Sequence, residues 1–116
     1  MSKNDELASE KCFCPMESIL GIIGRKWALL ILCEIATSTK RFGQLQKSLQ
    51  GISPKTLSSR LQELEQVRII SKTVYPEVPP RVEYSLTPQG ESLKTIILSL
   101  DEWGREHLSD TEISRE

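Results

Sequence analysis

Between residues 52 and 86, the spacing of apolar side chains changes from the period of a helix to that of paired strands and back. Ser53 followed by Pro54 is typical of a helix start, because serine can cap the first turn and proline fits where no amide donor is needed. The helix that follows would bury a leucine face and expose a polar one. The leucine face carries Leu57, Leu61 and Leu64, and the polar face carries Lys55, Ser59, Gln62 and Gln66.

Two runs rich in β-branched and aromatic residues follow, at 69–75 and 81–86, and the proline-rich segment 76–80 joins them. They predict a β-hairpin with a stiff tip, since proline fixes φ and removes a backbone donor. A helix with short polar donors before a basic hairpin predicts a winged helix-turn-helix, whose helix enters the major groove of DNA while the hairpin reaches the flanking backbone. The predicted fold class is therefore mostly α with a small β-hairpin (α+β).

The rest of the chain predicts a helical scaffold, with helices over residues 16–23, 27–35, 42–49 and 88–108 and a polar turn over 37–40. The first helix would end at Gly24 as a left-handed cap. The second is apolar nearly all round, which predicts a central buried helix and makes Cys33 an inert core residue. The third would end at Gly51 and form the helix-turn-helix pair with the Ser53 helix. Thr87 before a proline repeats the start signal for the last helix.

Length and composition favour one cytoplasmic domain. The 116 residues can bury one modest core, and we expect it to span residues 12–108, between a flexible arm at 1–11 and a flexible tail at 109–116. The first residues are polar and charged, unlike a signal peptide, and no apolar run approaches the roughly 20 residues that span a bilayer. We therefore expect no membrane partner.

The net charge of −1 conceals a basic centre. Residues 25–83 contain ten Lys or Arg against five Glu, a net charge of +5, whereas residues 1–24 and 84–116 carry −2 and −4. Because salt screens charges over about 8 Å, phosphate attraction is local and the centre can bind DNA while the acidic ends face elsewhere. Ordinary solvated surface charge is the alternative interpretation of the same asymmetry.

An enzyme is the competing class, and the sequence argues against it. It has no Gly-rich phosphate loop, no paired carboxylates in a plausible cleft and no metal motif. Its only histidine, His107, lies near the end of the last helix, where the dipole favours it. We expect no catalytic residue, no cofactor and no metal site. A winged-helix protein–protein interaction module without DNA binding stays open as the alternative function, since a fold does not fix a function.

Several segments together resemble the HxlR-type winged helix-turn-helix regulators of the MarR-like superfamily. The resemblance covers about residues 14–107. It rests on Cys14-Pro15-Met16-Glu17, Gly24-Arg25-Lys26-Trp27, Lys40-Arg41-Phe42, Ile52-Ser53-Pro54-Lys55-Thr56-Leu57, Leu61-Gln62-Glu63-Leu64-Glu65 and the wing segment from Val74 to Gly90. It implies homodimers that bind inverted-repeat operators in double-stranded DNA and repress or activate nearby genes, with repression the expected sign. Three residues depart from the pattern: Gly43 and Gln44, which predict a weaker cap for the third helix, and Arg25, which adds a cation near a DNA-facing turn.

Within this resemblance, basic and hydroxyl side chains of the centre become the expected DNA contacts. They are Lys40, Arg41, Lys47, Ser53, Lys55, Thr56, Ser59, Arg60, Lys72 and Arg81, with Gln62 a weaker candidate. The recognition-helix residues would meet base edges or phosphates, since Lys pairs with guanine and short hydroxyls donate and accept. Arg60 and Lys47 suit phosphate, whereas Arg81 suits a minor groove or phosphate. A solvated face is the alternative for the helix, and pairing with Glu77 or Glu83 is the alternative for Arg81.

The last helix suggests how two copies join. Its apolar stripe has little left to cover it in a monomer of this size besides the first helix, so we expect an isologous contact across a two-fold axis. The expected interface comprises Ile19, Leu20, Leu93, Ile96, Ile97, Leu100 and Trp103. The alternative is that the last helix is an intramolecular core helix.

Two cysteines near the N-terminus are candidates for a thiol switch. Cys14 precedes a predicted helix N-terminus, where the dipole favours thiolate. The resemblance implies that this cysteine can sense oxidants or small electrophiles, since some family members use it so. Cys12 adds a second thiol that could resolve an oxidised Cys14 or form half of a thiolate metal site, although two cysteines alone do not make such a site. A structural role for both cysteines is the alternative.

Overall fold

The computed structural model describes residues 15–108, and these form helices around a small antiparallel sheet. The elements are α1 (15–23), α2 (Ala28–Thr37), β1 (Lys40–Arg41), α3 (Phe42–Ser48), α4 (Pro54–Gln66), β2 (Ile70–Tyr75), β3 (Arg81–Leu86) and α5 (Pro88–His107). This order confirms the predicted winged helix-turn-helix, with α3 and α4 as the helix pair and β2–β3 as the wing. The predicted arm and tail, and both Cys12 and Cys14, lie outside the described residues.

Local signals set both ends of α4. Ser53 Oγ accepts a hydrogen bond from the Thr56 amide at 3.1 Å, and Pro54 occupies the first turn, as predicted. At the other end Arg68 adopts a left-handed conformation with φ of 63°. Its amide donates to the Glu65 carbonyl at 2.9 Å, and the following Ile69 amide donates to Leu64 at 3.0 Å. These two bonds form a Schellman motif, which stops the helix and turns the chain sharply into β2.

The core lies between α2, the helix pair and the sheet. Its buried members are Ile31, Leu32, Ile35, Leu45, Leu49, Ile52, Leu57, Leu61, Leu64, Ile69, Ile70 and Tyr84. Each of the three α4 leucines is at most 1% exposed, and burying a side chain of this size contributes about 1.5–3 kcal/mol. The apolar face of α4 is therefore fixed against the scaffold, and its polar face must point away from it.

The segment predicted as a polar turn contains a strand that the sequence did not reveal. Helix α2 continues to Thr37, and Lys40–Arg41 then pairs with β3, which gives the sheet order β1-β3-β2. Lys40 lies opposite Tyr84, and Arg41 lies opposite Glu83. Two residues are too few for an alternating pattern, so only the distant partner strand defines β1.

Two predictions about α1 and α2 were wrong in detail. Gly24 is not left-handed; it is required because a Cβ there would lie 2.6 Å from the Leu20 carbonyl oxygen. The left-handed residue is Trp27, with φ of 79°, where the chain turns into α2. Furthermore, α2 buries only one face, and its other face leaves Leu30 and Cys33 exposed. Cys33 is thus not a core residue, because α2 has apolar side chains on more of its surface than the small core covers.

Helix α5 begins against the end of α4. Thr87 Oγ1 accepts from the Gly90 amide at 3.0 Å and lies within donating distance of the carbonyl oxygens of Arg68 and Ile69. The Thr87 amide also donates to Ile69 at 3.1 Å. A side chain at Gly90 would overlap the Ile69 carbonyl oxygen and lie 2.9 Å from Leu86 Cδ2. Thr87 and Gly90 therefore form a close joint between the two helices.

Within residues 15–108, no helix is both long and apolar enough to cross a bilayer.

Candidate nucleic-acid interface

The first two turns of α4 present hydroxyl and ammonium groups to solvent. Ser53 and Lys55 are exposed, and Thr56 and Ser59 are half-buried. The hydroxyls of Ser53 and Thr56 are hydrogen-bonded to each other at 3.0 Å, so both take part in the helix cap. Within residues 15–108, Lys55 forms no ion pair. Lys55 is therefore the side chain of this face most available to an incoming ligand, with the half-buried Ser59 next to it and the exposed Gln62 one turn further along.

Arg60 is held inside the protein. Its Nε donates to the Lys26 carbonyl oxygen at 3.0 Å, its Nη1 lies 3.6 Å from Glu63 Oε2, and its side chain is 18% exposed. This geometry suits a residue that positions the helix better than one that grips phosphate. Lys47, by contrast, is exposed in the last turn of α3 and has no ion pair with any described residue.

The two basic residues of β1 have different surroundings. Lys40 Nζ lies 3.2 Å from both Thr37 Oγ1 and Ser38 Oγ, at the end of α2, and its side chain is 18% exposed. Arg41 is more open, with its Nε 4.0 Å from Glu83 Oε2. The Arg41 amide donates to Gln44 Oε1 at 2.8 Å. Gln44 thus supplies a side-chain cap to the start of α3, at the position where a weaker cap was predicted.

Arg81 lies along the hairpin rather than beyond its tip. Its Nη2 is 3.2 Å from Glu77 Oε2, its Nε is 3.7 Å from Glu83 Oε2, and its guanidinium stacks 3.9 Å from the Tyr75 ring centroid. The geometry is that of the alternative pairing weighed above, and it includes both glutamates. Partly exposed ion pairs contribute at most about 1 kcal/mol, so a phosphate can displace them.

A groove of about 420 Å³ separates the wing tip from the start of α3. Arg41, Gly43 and Arg81 line it, together with the proline-rich tip. Glu77 lines the groove as well, so its two arginines face a carboxylate there and are both paired with glutamates of the wing. Lys72, on β2, is exposed and has no ion pair within the described part of the chain.

Glu63 is the functional candidate that sequence reasoning missed. Its Oε2 lies 3.3 Å from Arg25 Nη1 and 3.6 Å from Arg60 Nη1, so one carboxylate oxygen faces two guanidinium groups. The spacing of Arg60 and Glu63, three positions apart on a helix, was a signal for an ion pair. Arg25, which the sequence placed near a DNA-facing turn, is therefore tied to α4.

The residues expected at a dimer interface divide into two sets. Leu93 and Ile97 are partly buried against the protein's own core, and Ile19 is half-buried. Four others are exposed over more than half of their surface: Leu20, Ile96, Leu100 and Trp103. The α5 stripe thus has one edge on the core and one edge open to a partner. Among the described residues, no group of three or more His, Cys, Asp or Glu side chains could hold a metal ion.

The helix pair and the wing agree with a family match. Residues 22–112 match the HxlR-like helix-turn-helix family. The chain belongs to this family. Its relatives are named HTH-type transcriptional regulators, and this chain is a helix-turn-helix transcriptional regulator of the same family.

Relatives and solved structures agree with the HxlR-like assignment. An HTH-type transcriptional regulator of Methanothermobacter thermautotrophicus is 38% identical over 112 residues, which are 97% of this chain and 86% of the relative. A MarR-family regulator from Enterococcus faecalis V583 superposes with a TM-score of 0.72 at 40% identity, over 75% of this chain and 79% of that one. The reduced form of the regulator YodB from B. subtilis gives 0.75 at 34% identity, over 82% and 93%. A diamide-treated form of YodB gives 0.73.

Proposed function

We propose that this HxlR-like protein is a homodimeric repressor that binds an inverted-repeat operator in double-stranded DNA. The observation that carries the proposal is the surface of α4: its leucines are buried, and Lys55 with the neighbouring hydroxyls lies on the opposite, solvent-facing side. A helix of this kind fits the major groove, and flanking cations fit the phosphate backbone.

The side chains divide by what they can reach. Lys55 and Ser59 are open to base edges, and Ser53 and Thr56 can join them because their hydroxyls keep acceptor capacity while they cap the helix. The exposed cations of α3, β1 and β2 suit phosphate: Lys47, Arg41 and Lys72. Arg81 can also contact phosphate once its ion pair with Glu77 is broken. Lys40 instead holds β1 to the end of α2 through its contact with Thr37.

Dimerisation would cover the open apolar edge of α5 and the exposed end of α1. Ile96 and Leu100 are each more than 60% exposed, and Leu20 is 55% exposed. Burying apolar surface is favourable by about 25 cal/mol per Å². A two-fold contact through α5 also sets the separation of the two recognition helices, which must match the operator half-sites.

A thiol switch at Cys14, with Cys12 as resolving thiol, is the regulatory part of the proposal. Support comes from YodB, whose structures include a reduced and a diamide-treated form. In the simplest chemistry two thiols lose two electrons and two protons to the oxidant and form one disulfide. Such a bond near the start of α1 would change how α1 packs.

The test is binding of the purified protein to DNA from around its own gene, at 0.15 M salt with excess nonspecific competitor, reduced and after diamide. We expect tight specific binding when reduced. Lys55→Ala should weaken it strongly, whereas Lys94→Ala, a matched change on α5, should leave it unchanged. Binding lost on oxidation and retained in oxidised Cys14→Ser would support the switch. Binding indifferent to diamide would remove the switch and keep the regulator, and no specific complex with any fragment would overturn the proposal.

A further inference from the structure

The segment between α1 and α2, residues 24–27, is held by side chains of α4. Arg60 donates to the Lys26 carbonyl oxygen at 3.0 Å, and Glu63 Oε2 lies 3.3 Å from Arg25 Nη1. Arg25 Nε in turn donates to the Gly21 carbonyl oxygen at 3.3 Å, in the last turn of α1. A continuous chain of polar contacts therefore runs from the end of α1, through the linker, to the middle of the recognition helix.

A second contact joins the linker to the helix-turn-helix pair on its other side. Trp27 packs against the core in a left-handed conformation that costs a non-glycine residue about 1 kcal/mol or more. Its ring faces the turn between α3 and α4, where a methyl group on Gly51 would lie 3.8 Å from Trp27 Cη2. The linker is thus fixed both to the start of α4 and to its middle.

We propose that Arg60 and Glu63 are positioning residues that lock the linker to the recognition helix, so that α1 and α4 move as one body. The inference rests on the proposed function, because α1 then reports the state of the dimer contact and of the adjoining Cys14 to the helix that meets DNA. Arg60 in this role is a structural residue of the interface and makes no phosphate contact.

The environment of the two side chains supports this role. The side chains of Arg60 and Glu63 are 18% and 29% exposed. The Oε1 atom of Glu63 is buried and has no hydrogen-bond partner within residues 15–108. A partly buried carboxylate with one unpaired oxygen is a poor way to gain stability alone, and its geometry is better explained by the two guanidinium groups that it holds in register.

The dependence of binding on salt separates a positioning role from a phosphate contact. The logarithm of the binding constant falls linearly with the logarithm of the salt concentration, and loss of one phosphate contact reduces the magnitude of this slope by about 0.9. We expect Arg60→Gln to weaken operator binding roughly three- to tenfold with an unchanged slope, whereas Lys47→Gln should lower the slope. A reduced slope for Arg60→Gln would show a phosphate contact and overturn the inference.

Amide hydrogen exchange with and without operator DNA tests the coupling itself. In wild type, DNA should slow exchange in α4 and also at residues 25–28, which lie behind the interface. In Glu63→Gln the protection of α4 should remain and that of the linker should fall, while Glu65→Gln, the same change on the same helix, should keep both. Unchanged linker protection in Glu63→Gln would overturn the inference.

A second variant and the behaviour of the wild-type protein distinguish failure of the inference from misfolding and from failure of the proposed function. Arg25→Gln removes the linker side of the same ion pair from a half-exposed position, so it replaces Glu63→Gln if that variant does not fold, and the same expectations apply. If wild type itself forms no specific complex, the proposed function fails and the inference falls with it. If wild type binds and the variants behave as wild type, the inference alone fails.

Discussion

The guanidinium of Arg81 stacks 3.9 Å from the ring centroid of Tyr75, its partner across the last pair of the wing. Cation–π contacts of this kind contribute about 0.5–1 kcal/mol at exposed sites. Together with Glu77 and Glu83, the ring keeps the arginine against the hairpin and gives it a defined starting position. Arg81 is therefore already ordered along the strand before any ligand binds, and the proposed DNA complex would not require it to be ordered from solvent.

Removing this arginine should weaken operator binding. We expect Arg81→Ala to reduce affinity about tenfold, because it deletes a charge-assisted phosphate or minor-groove contact. Glu77→Gln should strengthen binding by threefold or less, since it removes only a competing, half-exposed carboxylate. Titration of labelled operator at fixed salt measures both, and an Arg81→Ala protein with wild-type affinity would remove the wing from the interface.

The joint at Gly90 should tolerate no side chain. Gly90→Ala places a methyl group against the Ile69 carbonyl oxygen, and we expect it to lower the free energy of unfolding by about 3 kcal/mol. Gly43→Ala is the matched control, because a Cβ there meets nothing within 4 Å, and alanine should stabilise that helix by up to about 1 kcal/mol. Urea unfolding measures the pair, and equal effects at both glycines would contradict the close joint.

Alkaline stability should depend on Tyr84. Burial, and secondarily the charge of Glu65, raises the pKa of Tyr84 above its ordinary value of 10.0. Since the folded pKa is the higher one, the unfolded chain releases this proton first. The contribution of Tyr84 to stability is therefore fully present below pH 10 and is lost as pH rises from 10 through the folded value. Tyr84→Phe should flatten part of this fall in urea unfolding from pH 8 to 11.5, and an unchanged profile would show that Tyr84 does not contribute.

Charge on the open edge of α5 should separate the protomers. We expect Ile96→Glu and Leu100→Glu to convert a dimer to a monomer in sedimentation equilibrium, because each would bury a carboxylate in an apolar contact. Thr95→Glu adds the same charge to an exposed position about 100° around the helix from Ile96 and should leave the dimer intact. A wild-type protein that sediments as a monomer would contradict the proposed interface directly.

Most of the fold could be predicted because its signals are local. Ser53 and Thr87 begin their helices where the sequence placed them, and both wing strands lie within one residue of the predicted runs. The strand β1 could not be predicted, since only β3, more than forty residues later, gives it a partner. Cys33 was misjudged for a related reason, because an apolar helix does not reveal which face the rest of the chain will cover.

The candidate site was predictable in residue type but less so in role. Lys55 and Lys47 are exposed, as a polar helical face suggests. Arg60 is also a cation, but its side chain is mostly buried, since it donates to a backbone carbonyl 34 positions earlier. Side-chain pattern carries no information on backbone acceptors, so the contact that fixes Arg60 could only come from the folded chain.

The joint of Thr87 and Gly90 with Ile69 has an evolutionary consequence. The contacts of Thr87 and Gly90 with Ile69 constrain the first turn of α5, whereas the open edge at Ile96 and Leu100 takes no part in them. Duplicated copies of such a gene could then acquire new dimer surfaces on α5 while keeping the same recognition helix, or change the recognition helix while keeping the same dimer surface. The half-site sequence and the choice of partner would then change separately, while the α5 contact would still set the half-site spacing.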